Sequence, residues 1–327
     1  MSHSGVARAG GRVAAAVWLL LGLWTAAAPA AAAGADPGAT APAATGSAAR
    51  HGFLWEARKA GRHALLMGTL HVGLATDYPP DAATRQRLSA VDVIALEADV
   101  SQLGDNAAAL LARAQFAPGE PGLDARIDAG LKVDTQRVLE QFGIPAESAW
   151  QMKPWMLANM LVILQATQLG FSPAYATEAY LASLAGSSGK PIVELEGIEA
   201  QFELLDSQPA SEQLDALRQT VGSMLDGEAE RELRTLVTAW RNSDSAAMLG
   251  YLQRVHDSPD PAERRQFERL ITARNAAMAN RIDQLLRDGR FYLVAVGTLH
   301  FFGPAGLVQE LRARGYTVMP LQPEPAQ

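Results

Sequence analysis

The tetrapeptide GTLH occurs twice, as Gly68, Thr69, Leu70 and His71 within LLMGTLHVG and as Gly297, Thr298, Leu299 and His300 within VAVGTLHFFG. Each copy closes an apolar run, and a glycine follows shortly after, Gly73 and Gly303, which permits a tight backbone turn. His71 and His300 are therefore expected just past the C-terminal ends of two strands, where open α/β sheets place ligands. Glu97, in ALEAD, closes a third apolar run. Two histidines and a carboxylate at converging strand ends suit a divalent metal (Mn, Co, Zn or Fe) with open coordination positions. Such an ion polarises a carbonyl and lowers the pKa of bound water to about 7. Asp99 is a weaker candidate carboxylate. For either histidine alone, the competing assignment is a hydrogen-bonded core residue or a cap. His3, His51, His63 and His256 rank lower by context.

Several other chemistries are excluded. The chain has 327 residues and no cysteine, which removes thiolate metal sites, a cysteine nucleophile and disulfides. It has no HExxH, no Walker A loop, no GxSxG and no GxGxxG after a strand.

The elements that must position the three groups follow from short apolar, β-branched runs beside Gly or Pro. Strands are expected at 52–58 and 63–68, as a hairpin, and at 91–97, 191–195, 291–297 and 316–321. A helix is expected at 81–90 with Asp81 as its N-cap. An apolar core helix is expected over 149–169, with Pro154 near its start, and another helix over 173–186. Helices should fill 197–289, the last ending at Gly289, and an amphipathic helix should span 303–315. The last strand, helix and strand read as a βαβ crossover. The expected fold class is α/β (α+β): a mixed central sheet built from N- and C-terminal strands, with a helical middle layer or cap. Residues 51–327 form one domain with a helical insertion at about 105–289.

The N-terminus reads as a targeting segment. MSHSGVARAGGR is basic, residues 13–28 are apolar, and Ala31 and Ala33 fit an A-x-A cleavage site. Residues 1–33 are read as a secretory signal peptide and 34–50 as a flexible leader. An uncleaved anchor is the alternative, but the run is short for a span. Losing this segment removes two arginines and no acid, moving the formal charge from −7 to −9. An acidic, exported protein with no basic run is a poor nucleic-acid binder. The expected location is periplasmic or secreted, with no stable membrane span after signal removal.

GTLHVG, ALEAD, MKPWML, GKPIVELEGIEAQ, TARNAAMANRI and GTLHFFGPAGLVQELRARGYTV together resemble the TraB/GumN (TraB/PrgY/GumN) family, in order over nearly all of the mature chain. The family is similar to the TIKI proteins, described as metal-dependent peptidases with paired GxxH motifs and a glutamate. It is more distantly similar to erythromycin-esterase-like and haem-binding ChaN-like proteins. The resemblance implies a metal site of His71, Glu97 and His300. It adds Arg274 and Asn275 of the ARN motif, which would support those ligands or bind substrate, with Arg274 binding a carboxylate or an oxyanion. A surface ion pair is the alternative for Arg274. Glu196, in VELEG, would face the cleft or stabilise the start of the next helix. Lys153 and Trp155 would brace the helical cap. The chain departs from the pattern at AYATEAYL, where Ala176 and Glu178 stand in place of Gly and Asp. Glu178 would have to reach further to do the work of that Asp.

Two functions are then weighed. One is an exported metal-dependent hydrolase acting on a peptide or small molecule, with Glu97 as ligand or general base. The other is a protein that binds and sequesters a peptide without turnover, Arg274 gripping its terminus. Haem or iron binding through one histidine rests on distant fold analogy alone.

Overall fold

The computed structural model describes residues 52–99, 101 and 106–321. The expected signal and leader lie outside them. The strands are β1 (Phe53–Lys59), β2 (Arg62–Thr69), β3 (Val93–Leu96), β4 (Ile192–Glu194), β5 (Phe291–Gly297) and β6 (Thr317–Pro320). They form one sheet in the order β4-β3-β5-β2-β1-β6. Neighbours among β4, β3, β5 and β2 run parallel, and β1 runs antiparallel to both β2 and β6. The hairpin closes through Ala60 (φ 43°) and Gly61 (φ 80°), the left-handed pair that a two-residue turn with the native twist demands.

The helices are α1 (Ala82–Ala90), α2 (Asn106–Arg113), α3 (Ala129–Gln141), α4 (Ala146–Ala149), α5 (Pro154–Gln168), α6 (Thr177–Ser188), α7 (Ile198–Asp206), α8 (Ala210–Leu225), α9 (Glu228–Arg241), α10 (Ser245–His256), α11 (Pro261–Phe267), α12 (Ala273–Leu285) and α13 (Leu307–Ala313). Strand alternation divides the core between the two faces of the sheet. Leu66, Ala95, Val294 and Val296 join the large cluster built with α5, α8 and α9. Leu65, Met67, Ile94, Leu96, Leu293 and Ala295 face α1 and α6, through Leu88, Leu181 and Ala185. The central strands are covered on both sides, which is why they read as unbroken apolar runs.

Several boundaries differ from expectation for local reasons. The apolar helix starts at Pro154, whose missing N–H and fixed φ suit the first helical position, and a separate short α4 ends at Ala149, before a non-helical stretch over 150–153. α6 begins at Thr177, because Pro173–Tyr175 form a 3₁₀ turn instead. The last long helix is broken: α11 passes into a π turn, Glu268–Thr272, before α12. Gly289 (φ 79°) ends the segment, as expected of a C-cap glycine. The final crossover does not place β6 beside β5, since β2 and β1 lie between them. Among the described residues, no helix is long and apolar enough to cross a membrane.

Candidate active site

β2 and β5 are neighbours with Thr69 opposite Gly297, so the two GTLH copies lie side by side, staggered by one residue. Their small residues interlock. The Thr298 hydroxyl donates to the Thr69 carbonyl at 2.9 Å. A Cβ on Gly68 would come within 2.8 Å of Thr298 Oγ1, so only glycine lets the strands approach this closely. Trp240 Nε1 donates to the Gly68 carbonyl at 2.8 Å, tying α9 to the same point. Beyond this junction, His71 follows β2 and His300 sits in the 3₁₀ turn Thr298–Phe301.

Glu97 leaves β3 beside β5. Its Oε1 accepts the Gly297 N–H at 2.6 Å. Its Oε2 accepts Arg274 Nη2 at 2.6 Å and Gln201 Nε2 at 3.2 Å. Its main-chain carbonyl takes the N–H groups of Glu196 and Gly197, at 3.1 and 3.0 Å, where the chain leaves β4. One residue therefore binds the ends of three strands.

Arg274 stands in the middle. Its Nε donates to Glu196 Oε1 at 3.0 Å, and its Nη2 also meets Glu196 Oε2. Its Nη1 donates to the Leu270 carbonyl at 2.7 Å and meets His300 Nε2 at 3.3 Å. With Glu97, these contacts engage all five N–H donors of a guanidinium. Burial weakens its charge most, but Glu97 and then Glu196 outweigh that and hold its pKa above the ordinary value. The π turn immediately precedes it, and such turns recur at functional sites.

His300 is fully buried. Its Nδ1 lies 2.6 Å from Asn275 Oδ1, and Asn275 Nδ2 donates to the Ala305 carbonyl at 2.8 Å. The second bond fixes which way the amide points. Nδ1 then carries the proton, and the Nε2 lone pair faces Arg274. Burial first, then the Arg274 charge, pushes the ring's pKa well below its usual value; the charge of His71 adds to this and Glu196 opposes it. His300 is neutral at neutral pH.

His71 has a carboxylate of its own. Its Nδ1 lies 3.0 Å from Glu178 Oε1, in the first turn of α6. That turn is docked on the residue before the histidine: Thr177 N donates to the Leu70 carbonyl at 2.9 Å, and Leu70 N to Thr177 Oγ1 at 3.1 Å. Tyr78 adds a hydroxyl donor to the same oxygen at 2.9 Å. Glu178 thus reaches His71. Its other oxygen, Oε2, is buried without a hydrogen-bond partner.

The strand ends therefore gather His71, Glu97, His300, Arg274, Asn275, Glu196 and Glu178. Asp99 stays apart, its carboxylate capping Ser101. Gln201, buried on α7, was not anticipated; one polar residue on an amphipathic helix leaves no sequence signal. Lys153 and Trp155 do brace the helical layer, both donating to Asp206 Oδ1, at 2.6 and 3.1 Å.

The TraB/PrgY/gumN family profile matches residues 53–320, which span every strand and helix described above. The chain belongs to this family. Two relatives, both called "Uncharacterized protein YbaP", from Shigella flexneri and Escherichia coli (strain K12), are each 29% identical over 252 residues, covering 77% of this chain and 88% of theirs. No solved structure matches.

In this TraB/PrgY/gumN protein, the donor types and charge suit a cation: one guanidinium pairs with Glu97 and Glu196, and a third carboxylate, Glu178, lies beside His71. The arrangement does not. Glu97 Oε1 is engaged by the Gly297 N–H, and Glu97 Oε2 and His300 Nε2 are both engaged by Arg274. Among the described residues, no group of three or more His, Asp or Glu side chains is arranged to hold a metal ion. His71, Glu97 and His300 would become a ligand set only if the guanidinium withdrew.

Proposed function

We propose that this protein is an exported hydrolase of peptide or ester bonds, in which His71 takes the proton of the attacking water. The observation that carries this reading is the bond between His71 Nδ1 and Glu178 Oε1 at the end of β2. A carboxylate on Nδ1 keeps the proton there and the lone pair on Nε2, and it stabilises the imidazolium that forms when Nε2 takes a proton. The same imidazolium then returns that proton to the leaving group. Arg274 acts by position: it holds Glu97, Glu196 and His300 in place and has no donor left for a substrate oxygen. That also weighs against the sequestration reading, in which Arg274 grips a peptide terminus. Export rests on the basic, apolar and small-residue order of the first 33 residues.

The test is a panel of chromogenic esters and fluorogenic peptides, run on the protein recovered after export. Wild type should turn over at least one class, and His71→Ala should lose about 10²- to 10⁴-fold in kcat. Glu178→Gln should lose part of that. Dialysis against a chelator should leave the rate unchanged. Loss restored by Mn, Co, Zn or Fe would instead establish the metal-dependent form of the reaction. Full activity in His71→Ala would sink the proposal.

A further inference from the structure

Beside Asn275 lies a groove of about 800 Å³, ample for a small organic ligand. It runs between the end of α10, α11 with the π turn, and the loop that follows His300. Leu252, Phe267, Ile271 and Phe302 give it apolar walls. Its charge is unusual for this chain. Arg264, Arg265 and Arg269 line it against one carboxylate, Glu268, among the described residues, in a protein whose formal charge is −7. Glu212 pairs with Arg269 at 2.8 Å and lies 3.9 Å from Arg265. Arg264 bonds the neutral carbonyl of Ser258.

We infer that this groove binds an amphipathic organic anion, an apolar body carrying one carboxylate, and that its occupant is sensed at His300. Apolar walls supply the burial term, and two exposed arginines at the mouth supply the charge that selects an acid over its neutral analogue. The connection to the strand-end site is one residue long. Ala305, in the groove wall, holds the Asn275 amide, and that amide holds the proton-bearing nitrogen of His300. A ligand that displaces Ala305 therefore disturbs the hydrogen bond that sets the His300 tautomer. None of this depends on the hydrolase reading, because binding is measured directly.

The probe is 8-anilinonaphthalene-1-sulfonate, titrated into the folded full chain, with decanoate, decanol and a blocked apolar dipeptide acid as competitors. Saturable binding at one site is expected, displaced by decanoate and at least tenfold less well by decanol. Stronger displacement by the dipeptide acid than by decanoate would identify a peptide C-terminus as the source of the carboxylate; the reverse would identify a free acid. Arg264→Ala with Arg265→Ala, both at exposed positions, should weaken the probe about tenfold, and Leu252→Glu should abolish it. The His300 ring resonances of histidine-labelled protein should shift on saturation. Absence of saturable binding, equal displacement by decanol, or a double variant that binds like wild type would overturn the assignment. An unmoved His300 signal at saturation would overturn the sensing.

Discussion

Arg274 is a buried cation whose partners are all protein groups, so its value lies in what it keeps apart and in place. Replacing it with methionine leaves Glu97 and Glu196 facing each other without a counter-charge. Breaking a buried pair in this way costs about 3–5 kcal/mol, and a large drop in the thermal midpoint of Arg274→Met is the expected result. An unchanged midpoint would mean that the cluster is better hydrated than its burial indicates. His300 gives a prediction of the opposite kind, in pH. Its folded pKa lies well below the roughly 6.5 of an unfolded histidine. Below that pH the unfolded chain binds a proton that the folded chain refuses. The stability contributed by the neutral ring is therefore complete above about pH 6.5 and is lost as pH falls, by up to about 1.4 kcal/mol per unit. Melting curves from pH 7 to 5 should fall more steeply for wild type than for His300→Gln, and parallel curves would show that another group dominates. In the sequence, His71, Glu97 and His300 were legible because each ends an apolar run. Arg274 as the centre of the cluster was not, since nothing in TARNAAM tells an inward-facing arginine from a surface one. The pairing of His71 with Glu178 joins positions far apart in the chain and became visible only once α6 docked.

At the level of elements, the proposed pairing of His71 with Glu178 hangs on the start of α6. Thr177 accepts from Leu70 N–H and Tyr78 hydroxyl with one oxygen. Thr177→Val keeps the shape and removes that oxygen, leaving a buried N–H unpaired at a cost of about 1–3 kcal/mol. It should also lower kcat, because Glu178 is the next residue. A variant with lower stability and an unchanged kcat would separate the docking from the chemistry. The strands were readable from composition: the 291–297 expectation matches β5 residue for residue, and the others differ by a few residues at their ends. Helix starts were harder. Their errors fall where proline allows two local solutions, a first helical turn at Pro154 and a 3₁₀ turn at Pro173. The π turn left no mark in the periodicity, because the extra residue is absorbed within a few positions of an already long helical pattern. The interlock of Gly68 with Thr298 explains the repeated tetrapeptide better than chemistry alone: two of its four residues serve the junction, and one carries the imidazole.

Taken as a whole molecule, the chain closes one sheet from both of its ends and drapes the helices between them. The proposed export has a simple test, the intact mass of the protein recovered from outside the cytoplasm. Cleavage near Ala33 is expected, and a full-length mass there would favour an uncleaved anchor. The position of β5 has a consequence for the order of events during synthesis. This strand lies between β3 and β2 and supplies both the Gly297 N–H that holds Glu97 and the turn that carries His300. It is also made well after both of the strands it joins. Until it emerges, β2 and β3 have no common neighbour, the site lacks a wall, and Arg274 has no finished cluster to enter. A chain that has not yet made β5 therefore lacks the strand that joins β3 to β2, an open state that would suit the proposed export by threading.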